Sequence, residues 1–108
     1  MNDLRPPPGT RADQIYRRWI EFHRERPEVY ELFKRYTFQV IQAGYVHYSA
    51  DAVIHRIRWH VHIEKRAKDE FKLNNHYVSY YARLFMREFP EHQIFELRVR
   101  TSIRRGAV

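Results

Sequence analysis

Apolar positions along the chain fall into blocks with helical spacing, separated by proline, glycine and charged breaks. In the first block Ile15, Trp19 and Phe22 stand at i, i+4, i+7, the spacing of one buried helical stripe. Arg17, Arg18, Glu21, Arg24 and Glu25 mostly take the remaining surface. Thr10 reads as the N-cap, with Asp13 three residues on in the acidic position of a capping box. Pro27 ends this helix and pre-sets the first turn of a second, over residues 27–43. There Val29, Leu32, Phe33, Tyr36, Val40 and Ile41 make the wide apolar face of a central helix. Glu28 and Glu31 sit near its positive end, and Gly44 is the expected left-handed residue just past its last turn.

The short aromatic and β-branched run Tyr45-Val46-His47-Tyr48 predicts a small strand or an extended link. Ser49 caps a third helix, residues 49–64, with Asp51 in its first turn. Ile54, Ile57 and Val61 keep helical spacing, yet residues 57–63 also alternate as a strand would. The Ser49 cap and the short charged turn of residues 65–70 favour helix, with Trp59 half-buried. Asn74 or Asn75 opens a fourth helix that runs to Phe89, just before the stop at Pro90. Tyr77, Tyr81, Leu84, Phe85 and Phe89 form its inner side. His76, Ser79, Tyr80, Arg83 and Arg87 follow i, i+3, i+4, i+7, i+11 on its outer side. The final run, residues 94–100, alternates as a basic strand. The expected core is Trp19, Phe22, Leu32, Phe33, Tyr36, Val40, Ile54, Ile57, Val61, Tyr77, Tyr81, Leu84 and Phe95. The fold class expected is mainly α: four helices with a small C-terminal β-element, of winged helix-turn-helix type. Residues 1–10 read as a flexible arm, 11–101 as the single domain and 102–108 as a basic tail.

Composition changes this picture in three ways. A chain of 108 residues with 44% apolar and 16% aromatic residues is one folded domain with a real core. No apolar run approaches the roughly 20 residues of a membrane span, and the polar, proline-rich amino end lacks the apolar stretch of a signal peptide, so a cytoplasmic protein without a membrane partner is expected. The absence of cysteine excludes disulfides, thiolate zinc sites and cysteine nucleophiles.

Charge supplies the functional lead. The net charge is +7, and 16 of the 20 basic residues are arginine, whose planar fork suits phosphate and guanine edges. GC-rich codon usage is the bland explanation of the same excess. The outer side of the fourth helix carries Tyr, Ser, His and Arg without glutamate, unlike an ordinary solvated face. In a winged helix-turn-helix the third helix would brace and the fourth would read base edges. Arg83 and Arg87 would then reach guanine, Asn75 adenine or a phosphate, and Lys72 a phosphate, with His76, Ser79 and Tyr80 on the same face. Arg98 and Arg100 would form a basic wing, continued by Arg104 and Arg105. The alternative is a structural helix and a solvated tail.

The strings Phe22-His23…Pro27-Glu28-Val29-Tyr30, Ile57-Arg58-Trp59, Phe71-Lys72-Leu73-Asn74-Asn75, Tyr81-Ala82-Arg83, Pro90 and Phe95-Glu96-Leu97-Arg98 resemble a family of short proteins carried by phages, prophages and bacteria. The resemblance covers residues 20–98. It implies a mobile-element context and, by analogy, a winged-helix-like architecture; it implies no activity.

Three functional classes follow. The first is a non-enzymatic regulator that binds nucleic acid, duplex DNA ahead of RNA. The second is a protein that binds a host or defence complex, because eight tyrosines, seven phenylalanines and two tryptophans, with arginine, are the residues of interface hot spots. A homodimer is compatible with either. The third, a metal enzyme, rests on His60-Val61-His62, which could share a metal on a strand but not on a helix, where i and i+2 point about 200° apart. With three isolated glycines there is no phosphate-cradling loop, and no serine sits in a nucleophile motif. No catalytic residue, metal or cofactor is therefore expected.

Overall fold

The computed structural model describes residues 4–65 and 73–96. Four helices make up its frame: α1 (Arg11–Glu25), α2 (Pro27–Gln42), α3 (Ala50–Trp59) and α4 (Val78–Glu88). Their ends lie where local chemistry puts them. The Thr10 hydroxyl accepts the Asp13 N–H at 3.0 Å, and the Ser49 hydroxyl accepts the Ala52 N–H at 3.2 Å. α2 closes with Gly44 at φ 101°, a conformation that L side chains resist. The Gly44 N–H donates to Ile41 O at 3.0 Å and the Tyr45 N–H to Val40 O at 3.3 Å, the paired bonds of a Schellman ending.

α3 does not stop at Trp59. It widens into a π-helical turn, His60–Glu64, in which the Lys65 N–H reaches back five residues to His60 O at 2.8 Å. The alternating run of residues 57–63 is thus helical. Asn74 accepts the His76 N–H at 2.8 Å and opens a 3-10 turn, Asn75–Tyr77, that leads into α4. Of the two asparagines, Asn74 is the cap, and what it caps is this entry turn; α4 itself starts at Val78 without a side-chain cap.

An aromatic seam joins α1, α2 and α4. Trp19 of α1 stacks on Tyr80 at 5.2 Å between ring centroids and meets Tyr81 edge-on at 5.5 Å. Phe33 of α2 lies 5.8 Å from Tyr81 and 5.4 Å from Phe95, while Phe38 packs edge-on to Phe85 at 5.2 Å. Such pairs contribute about 0.5–1.5 kcal/mol each beyond their burial. Of the expected core, Phe22, Val40 and Val61 are partly buried and the rest are buried. Trp59, expected half-buried, is 56% exposed, because the α3 face toward α2 and α4 is filled by Val53, Ile54 and Ile57.

β-structure among the described residues is one isolated parallel bridge, Tyr48 with Phe95, in which the Tyr48 N–H donates to Ile94 O at 3.1 Å. The extended link at residues 45–48 and the segment after α4 therefore meet, without forming a strand ladder. Arg98, Arg100 and Lys72, assigned to the wing and its approach, lie outside the described residues, as does the basic tail. The architecture is a mainly helical, four-helix domain.

Candidate functional site

α4 is the innermost helix of the frame. Val78, Tyr80, Tyr81, Ala82, Leu84, Phe85 and Met86 are all buried. At about 100° per residue these span roughly two thirds of the circumference, and the remaining arc holds Ser79, Arg83 and Arg87, with His76 just before it on the same line. The outer side read from the sequence is thus narrower than its spacing suggested.

Tyr80 does not belong to that outer side. It is 5% exposed, stacks on Trp19, meets Tyr16 edge-on at 5.5 Å and donates its hydroxyl to Ala12 O at 3.1 Å. The cause is geometric. α1 packs beside α2 on α4, so the buried arc extends past Tyr81 and Leu84 to take in Tyr80, whose hydroxyl finds a partner at the first turn of α1.

Asn75 is exposed, and its side-chain oxygen accepts from Arg58 Nη2 of α3 at 2.6 Å. The same nitrogen donates to Leu73 O at 2.6 Å. Arg58 thus bridges Leu73 and Asn75 on either side of the capping Asn74, and part of Asn75's hydrogen-bonding capacity is spent inside the molecule. Arg87 lies exposed one turn beyond Arg83.

His76, Ser79 and Arg83, with Asn75 and an edge of Tyr80, form one wall of a cleft of about 1070 Å³. Ala12 and Ile15 of α1 contribute to it, as do His47, Tyr48, Ser49, Ala50 and Asp51 of the link and the start of α3, and Ile94 and Glu96 beyond α4. Five of the residues proposed from the sequence therefore converge on one concavity. Arg83 is half-buried there and has no ion pair or hydrogen bond to another described residue. On α1, Arg11 and Arg18 stand four residues before and three after Ile15, on the same helical stripe, and both are exposed. Phe22, next on that stripe, lies 5.3 Å from the Tyr77 ring, which turns the stripe toward the entry of α4.

His47, Ser49, Asp51 and Glu96 were not singled out as site residues. Ser49 and Asp51 carry a capping signal that accounts for them locally, and nothing in the sequence brings Glu96 beside them before the Tyr48–Phe95 bridge forms.

Other polar groups serve the frame. The Asp13 carboxylate is 1% exposed and accepts from Arg5 Nε at 2.9 Å and the Gly9 N–H at 3.2 Å, with Arg17 Nε at 3.2 Å. The hydrogen bond from Arg5 holds its pKa below the ordinary carboxylate value, against the opposing effect of burial. Residues 5–10 of the amino-terminal arm are tied to α1 by these bonds. Tyr30 donates its hydroxyl to Glu88 Oε1 at 2.7 Å, and burial together with that carboxylate pushes its pKa upward. His23, stacked on Trp19 at 5.5 Å, has its pKa lowered chiefly by burial.

The histidine pair behaves as helical residues must. His60 Nδ1 lies 2.8 Å from Glu64 Oε1, while His62 is exposed. Among the described residues no three histidine, aspartate or glutamate side chains come together as a metal site would require. No helix among them is long and apolar enough to cross a membrane.

No protein family, curated protein or solved structure matches the chain.

Proposed function

We propose that this chain is a small, non-enzymatic nucleic-acid-binding protein that grips phosphate with arginines around the α1–α4 cleft. The observation that carries this reading is Arg83, a half-buried cation facing the cleft without a described partner, while Arg11 and Arg18 stand exposed on the α1 stripe whose Ile15 lines the same cleft. A guanidinium held partly out of water is favoured by an anion, and phosphate is the anion its fork fits best. The net charge of +7 supplies the long-range attraction.

The depth of α4 bears on the mode of binding. A helix that enters a major groove needs a broad accessible face, and α4 with its entry turn offers a narrow strip, His76, Ser79, Arg83 and Arg87, beside Glu88 at its last turn. Contact along the cleft rim fits this shape better than insertion of α4 into duplex DNA. The resemblance to short phage and prophage proteins makes a regulatory role in a mobile element the biological setting of this proposal.

Fluorescence anisotropy with single- and double-stranded oligonucleotides across a salt series tests it. Binding should weaken linearly in log–log form with salt, and Arg83→Ala should lower affinity and reduce the slope by about one. Absence of binding at low salt overturns the proposal.

A second reading has its own observation. Trp59 and Ile63, at i, i+4 on the outer face of α3, are 56% and 51% exposed. An exposed tryptophan beside arginine is a common protein-binding anchor, which fits a host or defence complex as partner. Capture of a protein from lysate that survives nuclease and is lost in Trp59→Ala would favour this reading.

A further inference from the structure

The charge inside the cleft differs from the charge around it. Among the described lining residues Arg83 is the only arginine, while Asp51 and Glu96 add two carboxylates. Leaving the histidines out of the count, these described lining residues carry one positive and two negative formal charges. A phosphodiester chain threaded through the cleft would be repelled by those carboxylates. The arginines that suit it, Arg11 and Arg18, are placed outside the lining on the α1 stripe.

A carboxylate is instead the natural acceptor for an amino group on a base edge, as in the pairing of Asp or Glu with cytosine N4. The walls also suit a base. Tyr48 is half-buried, and the imidazoles of His47 and His76 are exposed at the lining, giving flat faces on which a ring can stack. A volume of about 1070 Å³ is ample for one nucleotide. In a duplex one amino N–H is already paired and the ring is stacked, so a base must be unpaired and unstacked to enter a cleft with its whole edge.

We propose that the cleft receives an unstacked, amino-bearing base from a single-stranded nucleic acid, with the base edge on Asp51 and Glu96 and the flanking phosphates on Arg83, Arg11 and Arg18. This rests on the nucleic-acid reading above and narrows it to strand state and base class. Single-stranded DNA and RNA share the chemistry, so both enter the test.

The test is equilibrium binding of the full chain to fluorescent oligo(dC), oligo(dT) and oligo(rC) of equal length, and to a mixed-sequence duplex, at low salt. Cytosine and thymine differ at the edge that matters, an amino donor against a carbonyl acceptor. Oligo(dC) is expected to bind about tenfold tighter than oligo(dT), the scale of one good edge contact, and both single strands with amino groups should bind tighter than the duplex. In Asp51→Ser/Glu96→Ala the preference for cytosine should vanish while oligo(dT) binds as well as before or better. Equal binding of oligo(dC) and oligo(dT) by the unaltered protein overturns the proposal, and so does a duplex that binds as tightly as oligo(dC). An unchanged cytosine-to-thymine ratio in a folded double variant also overturns it, since removing acids near a phosphate site would raise both affinities alike. If no nucleic acid binds at all, the broader reading falls with it; if all bind without preference, only this inference falls.

Discussion

α3 and α4 are both short amphipathic helices with aromatic residues and arginines, yet they occupy opposite environments. α4 is covered over most of its circumference; apart from Glu88 in its last turn, it leaves Ser79, Arg83 and Arg87 on an accessible strip that His76 of the entry turn continues. α3 buries Val53, Ile54 and Ile57 on one side and leaves Trp59 and Ile63 in solvent on the other. The lack of glutamate on the outer strip of α4 thus has a simple cause: so narrow a strip has few places to put one, and the helix's exposed Glu88 lies off it, bonded to Tyr30. An acid-free helical face is a sign of burial as much as of recognition. The two are separated by counting how many neighbours surround the helix.

Truncation of one aromatic residue on each helix should separate the two environments most strongly. Phe85→Ala empties a fully buried site between Phe33, Phe38 and Phe95, and should cost about 3–5 kcal/mol in urea denaturation. Trp59→Ala should stay within about 0.5 kcal/mol. Similar losses for the two would show that α3 is covered in solution, as an interface between copies or with a partner would require.

Tyr80 tests the same contrast at finer scale. Tyr80→Phe removes only the hydroxyl that donates to Ala12 O and should cost about 1 kcal/mol, whereas a hydroxyl standing free on a recognition face would cost nothing. The asparagine pair comes next. Asn74→Ala should cost about 1 kcal/mol as a lost cap, and Asn75→Ala less, because Arg58 keeps its second acceptor at Leu73 O. Equal losses from both would mean that the Arg58 clamp carries as much as the cap.

The smallest effects are in pH. His23 has a folded pKa below its ordinary 6.5, so the unfolded chain binds more protons there and stability falls as pH drops from that value toward the folded one. Asp13, also lowered, acts in a separate and more acidic window: its contribution is complete above the ordinary 3.8 and is lost as pH falls through its folded value. Thermal melts should therefore show an early loss that His23→Phe flattens and a later one that Asp13→Asn flattens. A single acidic transition untouched by His23→Phe would remove the histidine from the account.

The helix ends and most of the core were legible in the sequence because the chemistry that sets them is local. Thr10, Ser49 and Asn74 satisfy a backbone N–H two or three residues away, and Gly44 supplies the one left-handed residue that the end of α2 needs. Pro27 acts through its own ring. Apolar spacing likewise marks which residues want a neighbour, so Trp19, Phe33, Ile57, Tyr81 and Phe85 were identifiable as buried before any packing was known. That spacing does not say how many neighbours arrive. Only the tertiary structure widened the buried arc of α4 to include Tyr80, left Trp59 in solvent and joined Arg58 to Asn75 across 17 residues. The cleft itself is of that second kind. Its walls come from α1, the link before α3, α4 and the segment after it, and the bridge from Tyr48 to Phe95 brings Glu96 to the side of Asp51's helix. A cap is settled by a bond that spans three residues; a cleft needs separate elements to pack first, and their pairing is written in shape and burial that no single stretch of sequence contains.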